Sequence, residues 1–77
     1  MKWERIRNKG TARKLFREGK TIYLLPCKMD INHDWNPPTP ISLEDNDTFD
    51  HLVNQYQDSW CFNEVGYYCH YYIKEGD

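Results

Sequence analysis

Cysteine and histidine are the residues of this chain best suited to metal binding or nucleophilic chemistry, and it has three of each. Structural zinc sites usually place their ligands in closely spaced pairs, C-x₂₋₄-C or H-x₃₋₅-H, and no such pair occurs here. Cys69 and His70 are adjacent, so in a strand they would point to opposite faces. The sequence therefore predicts no metal and no other cofactor. If a metal were bound, its first ligand candidates would be Cys27, His33 and Cys61.

Catalytic motifs are absent from the sequence. It contains no known nucleophile motif, no phosphate-binding glycine loop and no paired-carboxylate spacing. A chain of 77 residues buries only about 60% of its extended surface, which leaves little interior for a pocket that excludes water. We therefore predict that the protein is not an enzyme. A small hydrolase or metal-dependent domain is the third functional alternative.

Charge is divided unevenly along the chain. Residues 1–20 hold eight Lys or Arg and two Glu, whereas residues 21–77 hold two Lys and ten Asp or Glu, for a net charge of −2. A basic segment that includes a Trp can bind phosphates and stack a base. The structural alternative is that the basic segment pairs with the acidic remainder. Nucleic-acid binding is thus the second functional hypothesis. Its candidate residues are Trp3, Arg13, Lys14, Arg17 and Lys20.

Aromatic residues indicate a surface for protein contact. In a strand, Tyr68, His70 and Tyr72 share one face. Trp35 lies in residues 30–46, a proline-containing connection that is long for so small a domain and that we expect to be ordered. Aromatic side chains dominate interface hot spots. Protein contact through these four residues is therefore the leading hypothesis; the alternative is that they complete a thin core.

The first half of the chain predicts one helix and one strand. Thr11 is the predicted N-cap of the helix, and Gly19 its C′ residue. The run TIYLLPCKM then predicts a strand with Ile22 and Leu24 on one side, and Pro26 predicts an edge or a bulge. Residues 2–8 suit a helical turn or an irregular arm better than a strand.

A second helix and a hairpin are predicted in the second half. Asp47 is the predicted cap, with Asp50 completing a capping box. Apolar residues at i, i+3, i+4 and i+7 form one stripe, which we expect to pack against Ile22 and Leu24. The stripe consists of Phe49, Leu52, Val53 and Tyr56. The hairpin that follows has a turn ending at Gly66.

These elements predict a single domain of the α+β class over residues 1–77. Its core would be a small antiparallel three-stranded sheet packed with two short helices on one face, to which the N-terminal segment could add one further element. No apolar run has the length of a membrane span, and the charged N-terminus lacks the apolar stretch of a secretory signal. We therefore predict free thiols, a cytoplasmic location and no membrane partner. The sequence does not indicate an oligomeric state.

The segment TARKLFREGKTIYLLPCKM, residues 11–29, resembles part of short hypothetical proteins encoded by phages and conjugative elements of gut Firmicutes. The resemblance extends to a proline-containing loop with Trp, a capped helix and a Tyr-rich end, here NEVGYYCHYYI. It implies an accessory protein in a bacterial cytoplasm that binds a host or element protein and in some cases inhibits it. It implies no particular activity and no functional residue.

The spacing of the cysteines and histidines leads to a first prediction. We expect the purified protein to contain no stoichiometric zinc, and its melting temperature to stay unchanged when a chelator is added, because no closely spaced ligand pair exists. Elemental analysis and a thermal melt with and without the chelator measure both quantities. One equivalent of zinc, together with a lower melting temperature after chelation, would contradict the prediction.

Overall fold

A computed structural model of the protein describes residues 3–26, 38–59 and 69–75. The elements in chain order are β1 (Trp3–Ile6), α1 (Lys9–Arg17), β2 (Ile22–Pro26), β3 (Thr39–Ile41), a 3₁₀ turn (Leu43–Asp45), α2 (Phe49–Ser59) and β4 (Cys69–Lys74). Within these ranges the strands form one antiparallel four-stranded sheet in the order β1-β4-β2-β3. The α+β class is confirmed. The predicted hairpin turn at Gly66 lies outside the described residues.

The N-terminal segment forms a strand, so the predicted helical turn or arm is wrong. β1 pairs with β4, placing Trp3 opposite Lys74 and Ile6 opposite Tyr71. Trp3 and Ile6 are three positions apart, a spacing that also suits one face of a helix. In the strand this odd separation sends Ile6 into the core, where it is 8% exposed, and Trp3 to the opposite face.

Strand β3 is the second strand that the sequence does not predict, and it lies within the connection over residues 30–46. It pairs with β2, with Ile41 opposite Ile22 and Pro40 opposite Tyr23. Ile41 is buried, and this burial anchors the segment. Among the described strands β3 is at an edge of the sheet, where a proline is tolerated because one side of the strand needs no ladder hydrogen bonds. The sheet thus has four strands where three were predicted.

Helix α1 begins earlier than the sequence predicts. Asn8, and not Thr11, is its N-cap: the Asn8 Oδ1 atom accepts hydrogen bonds from the backbone N–H groups of Gly10 at 2.7 Å and Thr11 at 3.4 Å. These bonds satisfy two of the amide groups that a helix start leaves without a partner. The helix therefore includes Gly10, a residue type that more often interrupts a helix.

The end of α1 follows the prediction. Gly19 has a φ of +97°, a left-handed conformation that costs a glycine little. Its N–H donates to the carbonyl of Phe16 at 3.1 Å, and the N–H of Lys20 donates to the carbonyl of Leu15 at 3.0 Å. This pair of bonds is a Schellman motif. It directs the chain from the helix into β2.

Helix α2 is capped by Thr48, so the predicted cap at Asp47 is wrong by one residue. The Oγ1 atom of Thr48 accepts a hydrogen bond from the N–H of His51 at 3.2 Å, and its carbonyl accepts one from the N–H of Leu52 at 3.1 Å. Asp47 instead accepts a hydrogen bond from the N–H of Thr48 at 2.7 Å. Asp50 does not complete a capping box here, because its carboxylate points toward α1.

Both helices pack on one face of the sheet. The predicted stripe of α2 reaches the core: Phe49, Val53 and Tyr56 are buried, and Leu52 is partly buried against it. The rings of Phe16 and Phe49 meet edge to face, with centroids 5.5 Å apart, and so join the two helices. The core cluster consists of Ile6, Ala12, Phe16, Ile22, Leu24, Ile41, Phe49, Val53, Tyr56, Cys69 and Tyr71.

Three leucines at different depths test this packing. Leu24 is 0% exposed and Leu43 is 46% exposed, with Leu52 between them. Because the cost of a Leu→Ala change grows with the burial of the side chain, we expect Leu24→Ala to lower the free energy of unfolding by about 2–5 kcal/mol and Leu43→Ala by less than about 0.5 kcal/mol. Leu52→Ala should fall between the two. Denaturant titration followed by circular dichroism gives the values. A reduction at Leu43 equal to that at Leu24 would contradict this core.

Candidate functional site

The sheet face opposite the helices combines aromatic and basic side chains. The strand register places Arg5, Tyr72, Tyr23 and Pro40 in one row across all four strands. In one neighbouring row Trp3 lies opposite Lys74, and in the other His70 lies opposite Leu25. Strand alternation keeps these residues away from the core cluster. The helix-free face is defined as Trp3, Arg5, Tyr23, Leu25, Pro40, His70, Tyr72 and Lys74.

An aromatic cluster occupies the middle of the helix-free face. The ring of Trp3 meets that of Tyr23 at 5.0 Å and that of Tyr72 at 6.4 Å, both edge to face. The ammonium of Lys74 lies 5.5 Å from the Trp3 ring centroid and 5.6 Å from the Tyr23 ring centroid. Contacts of each kind contribute about 0.5–1.5 kcal/mol. The cluster therefore fastens the edge strand β1 to β4 and β2.

Only part of this face is accessible. Leu25 is 1% exposed and Tyr72 is 8% exposed, whereas Trp3, Tyr23, His70 and Lys74 are half-buried and Arg5 and Pro40 are exposed. None of the described strand positions on this face carries a carboxylate. At the described strand positions, the accessible part of this face is therefore aromatic and positively charged, although the whole chain has a net charge of −2.

His70 is a titratable residue of the helix-free face whose pKa is shifted by its surroundings. Burial lowers its pKa below the usual value of 6.5, and the positive charge of Arg5 lowers it further. Both effects disfavour the imidazolium. At neutral pH the ring is therefore uncharged and can donate or accept a hydrogen bond at the surface.

The predicted protein-contact residues are only partly placed by the structure. Trp35 and Tyr68 lie outside the described residues. His70 and Tyr72 share the helix-free face, as strand alternation predicts. The burial of Tyr72 favours the alternative in which it completes the interior. Of the four candidates, His70 alone is both described and half-exposed.

Sequence reasoning missed three residues of this face as contact candidates. Tyr23 could have been found, because alternation along β2 separates it from the core residues Ile22 and Leu24. Lys74 could have been found as well, because alternation along β4 places it on the face of His70 and Tyr72. Arg5 could not, because its place on the face depends on the pairing of β1 with β4, which neither segment specifies alone.

Two basic residues of α1, Arg13 and Lys9, pair with Asp50 of α2. Arg13 is half-buried: its Nη2 atom lies 2.7 Å from Asp50 Oδ1, and its guanidinium lies 5.9 Å from the Phe49 ring centroid. Lys9 Nζ lies 3.7 Å from the same carboxylate oxygen. The hydrogen bond from Arg13 is the main reason that the pKa of Asp50 lies below its usual value of 3.8; burial opposes this shift.

These contacts support the structural alternative for part of the basic segment. Arg13 and Lys9 join α1 to α2 through Asp50, which makes Arg13 a poor probe of nucleic-acid binding, because charge reversal there would place two carboxylates side by side. Lys14, Arg17 and Lys20 are exposed. Trp3, the remaining nucleic-acid candidate, belongs to the aromatic cluster on the helix-free face.

The buried thiol and phenol of β4 offer little nucleophilic chemistry. Burial raises the pKa of Cys69, whose Sγ atom lies 3.6 Å from the Nε2 donor of Gln57. Burial likewise raises the pKa of Tyr71. Both groups are therefore protonated at neutral pH, and a protonated thiol is a weak nucleophile.

Within residues 3–26, 38–59 and 69–75, no group of three or more His, Cys, Asp or Glu side chains is arranged to hold a metal ion. Cys27, His33 and Cys61 lie outside these ranges. The helices that the structure describes include none with the length and apolarity needed to cross a membrane.

Comparison of the chain with protein-family models, with curated proteins and with solved structures gives no match. Any functional assignment therefore depends on the residues of the site itself. The resemblance to proteins of phages and conjugative elements stays a prediction.

The pKa of His70 leads to a prediction about acid stability. Because its pKa is lower in the folded than in the unfolded protein, folding disfavours proton uptake, and stability falls as the pH drops below about 6.5 toward the folded-state pKa. We expect the parent to lose melting temperature between pH 7.5 and about pH 5, and His70→Asn to lose less of it.

Thermal melts across this pH range measure the difference. Asn54→Ala is the control, because Asn54 is exposed on α2 and its replacement removes no titratable group. It should retain the slope of the parent. Equal slopes for the parent and His70→Asn would contradict the prediction. The pKa of Asp50 is lowered from its usual value of 3.8. Protonation of Asp50 therefore reduces stability only below about pH 4, outside the range of the melts.

Proposed function

We propose that the protein is a non-enzymatic binding protein that acts by protein–protein contact through the helix-free face. The observation that carries the proposal is the accessible combination of Trp3, Tyr23, Arg5 and Lys74 without a carboxylate at the described strand positions of this face. Trp, Tyr and Arg are the residue types most enriched at interface hot spots. A positive aromatic surface fits an acidic region of a partner protein.

Protein contact is favoured over nucleic-acid binding by the arrangement of the rings. Base stacking needs an open ring face. Here the Trp3 and Tyr23 rings meet edge to face, and the Lys74 ammonium lies over both. Two cations of the basic segment, Lys9 and Arg13, are also engaged with Asp50. Nucleic-acid binding through the exposed α1 cations is therefore the second choice.

The proposed setting is a bacterial cytoplasm, with the protein serving as an accessory factor of a phage or conjugative element. Support for this comes from the resemblance of residues 11–29 alone. The partner would be a host or element protein, and inhibition of that protein is one result that such contact can have. The small size of the domain and the protonated Cys69 thiol support a role without catalysis.

Two substitutions that add negative charge to the helix-free face test the proposal. Lys74→Glu reverses a charge there, and Pro40→Glu adds a carboxylate at an exposed position outside the aromatic cluster. Like-charge contact at an interface costs several kcal/mol, so each variant should lose more than about tenfold of its partner binding. The measurement is quantitative mass spectrometry of proteins enriched from a bacterial lysate by the tagged parent and variants, followed by titration with the purified partner.

Matched controls make the same charge changes elsewhere. Arg17→Glu and Asn54→Glu alter exposed positions of α1 and α2 and should keep the partner. A variant is used to judge partner binding only when its circular dichroism spectrum and melting temperature match those of the parent. Retention of the partner by Lys74→Glu and Pro40→Glu would remove the support for this face. Loss with Arg17→Glu, accompanied by salt-sensitive binding to a single-stranded oligonucleotide, would favour nucleic acid instead.

A further inference from the structure

A groove of about 390 Å³ lies between β1 and helix α1, on the side of the sheet away from the helix-free face. Its apolar lining comes from Ile6, Leu15 and Ile73, of which Leu15 and Ile73 are partly buried against the core. Arg7 lies at its rim, and Arg5 adjoins it from the helix-free side of β1; both are exposed. An apolar floor with a charged rim can hold an apolar side chain flanked by charged groups.

The groove adjoins one edge of the sheet that the described strands form. Among the described strands β1 is the outermost, and it pairs on one side with β4. In an antiparallel pair, alternate residues direct their N–H and C=O groups away from the partner strand, so part of the β1 backbone faces outward. Glu4 and Arg5 on this edge are exposed. Backbone groups and an apolar groove side by side are the two features that strand addition of a peptide requires.

Charge complementarity identifies the occupant. A strand added to β1 would alternate as β1 does, so its apolar side chains would face the groove while its polar side chains lie beside the exposed Arg5 on the helix-free side. Residues 1–20 hold eight Lys or Arg and two Glu, so acidic side chains suit that position. A second copy of the chain paired through β1 would bring two such basic segments together, which is unfavourable. A nucleic acid has neither the amide groups to extend the sheet nor an aliphatic side chain for the groove.

We propose that the groove binds an extended acidic segment of a partner protein. The segment adds to β1 as a further strand of the sheet and inserts an apolar side chain against Ile6, Leu15 and Ile73. This site goes beyond the proposed contact at the helix-free face; Arg5 is the one residue that belongs to both. A partner whose acidic region includes an extended stretch can occupy both surfaces at once.

The test uses a short fluorescent peptide of alternating Glu and Val as the probe, with the full-length protein. Fluorescence anisotropy should show saturable binding. An analogue of alternating Lys and Val should not bind, because the rim is positive. An analogue that is N-methylated at every residue should also fail, because it has no N–H group to donate to β1. Binding of the N-methylated analogue would overturn strand addition.

Variants locate the probe. Thr11 lines the groove and is exposed, so Thr11→Trp should fill the groove without altering charge. Arg7→Glu should reverse the rim charge. Each should weaken binding more than about tenfold. Arg17→Glu and Asn54→Glu, at exposed positions of α1 and α2, should leave the affinity near that of the parent, because neither residue lines the groove. Equal losses in all four variants would overturn the assignment to this site.

Two further measurements separate other occupants. Hydrogen exchange by NMR should show slower exchange of the outward amides of β1 when the peptide is bound. Sedimentation of the protein alone should give a monomer; a dimer disrupted by Arg7→Glu and Thr11→Trp would assign the groove to a second copy. Failure of the acidic peptide to bind overturns this inference, while loss of the partner with Lys74→Glu would still support the helix-free face.

Discussion

The pairing of β2 with β4 is the interaction on which the rest of the structure depends. Leu24 lies opposite Tyr71 on the core side, and Tyr23 lies opposite Tyr72 on the other side. β1 attaches to the outer side of β4, and β3 to the outer side of β2. Both helices pack over the core side of this pair, and the aromatic cluster forms over its other side. Loss of the β2–β4 pairing would detach β1 from β3 and would disrupt both the core side and the aromatic cluster.

The two faces of the sheet are stabilised by different physical means. The core side excludes water with aliphatic and aromatic groups, and its strength follows from the apolar area that it buries. The helix-free face depends on ring edges and a cation, which tolerate partial exposure because the attractive charges remain near water. Of the described helices, both lie on the core side, and exposed and half-buried side chains of the described strands lie on the other side.

The extent to which the fold could be predicted differs between elements for physical reasons. Some features follow from patterns within a single segment. These are the apolar stripe of α2, the end of α1 at Gly19 and the alternation of β4. β1 was missed because a four-residue strand is too short to separate a period of two from a period near four. β3 was missed because three residues including Pro40 carry almost no strand signal, and only the burial of Ile41 against β2 reveals it.

The candidate site was less predictable than the fold because it is made by register. Trp3 meets Tyr23 and Lys74 only after β1, β2 and β4 have aligned, and residue type alone cannot indicate that alignment. The Arg13–Asp50 contact shows the same limit: sequence reasoning expected pairing between the basic and acidic halves but could not say which residues take part.

The strand order also has a consequence for synthesis on the ribosome. β4, the last described strand, lies between β1 and β2. The described neighbour of β1 is therefore absent until residues 69–74 have been made and released from the exit tunnel. We expect nascent chains that end before β4 to leave β1 unpaired and accessible to proteases or chaperones, whereas full-length chains protect it. The sheet formed by the described strands is therefore completed only after β4 has been translated, and a trypsin digest of stalled chains of increasing length would reveal the point of closure.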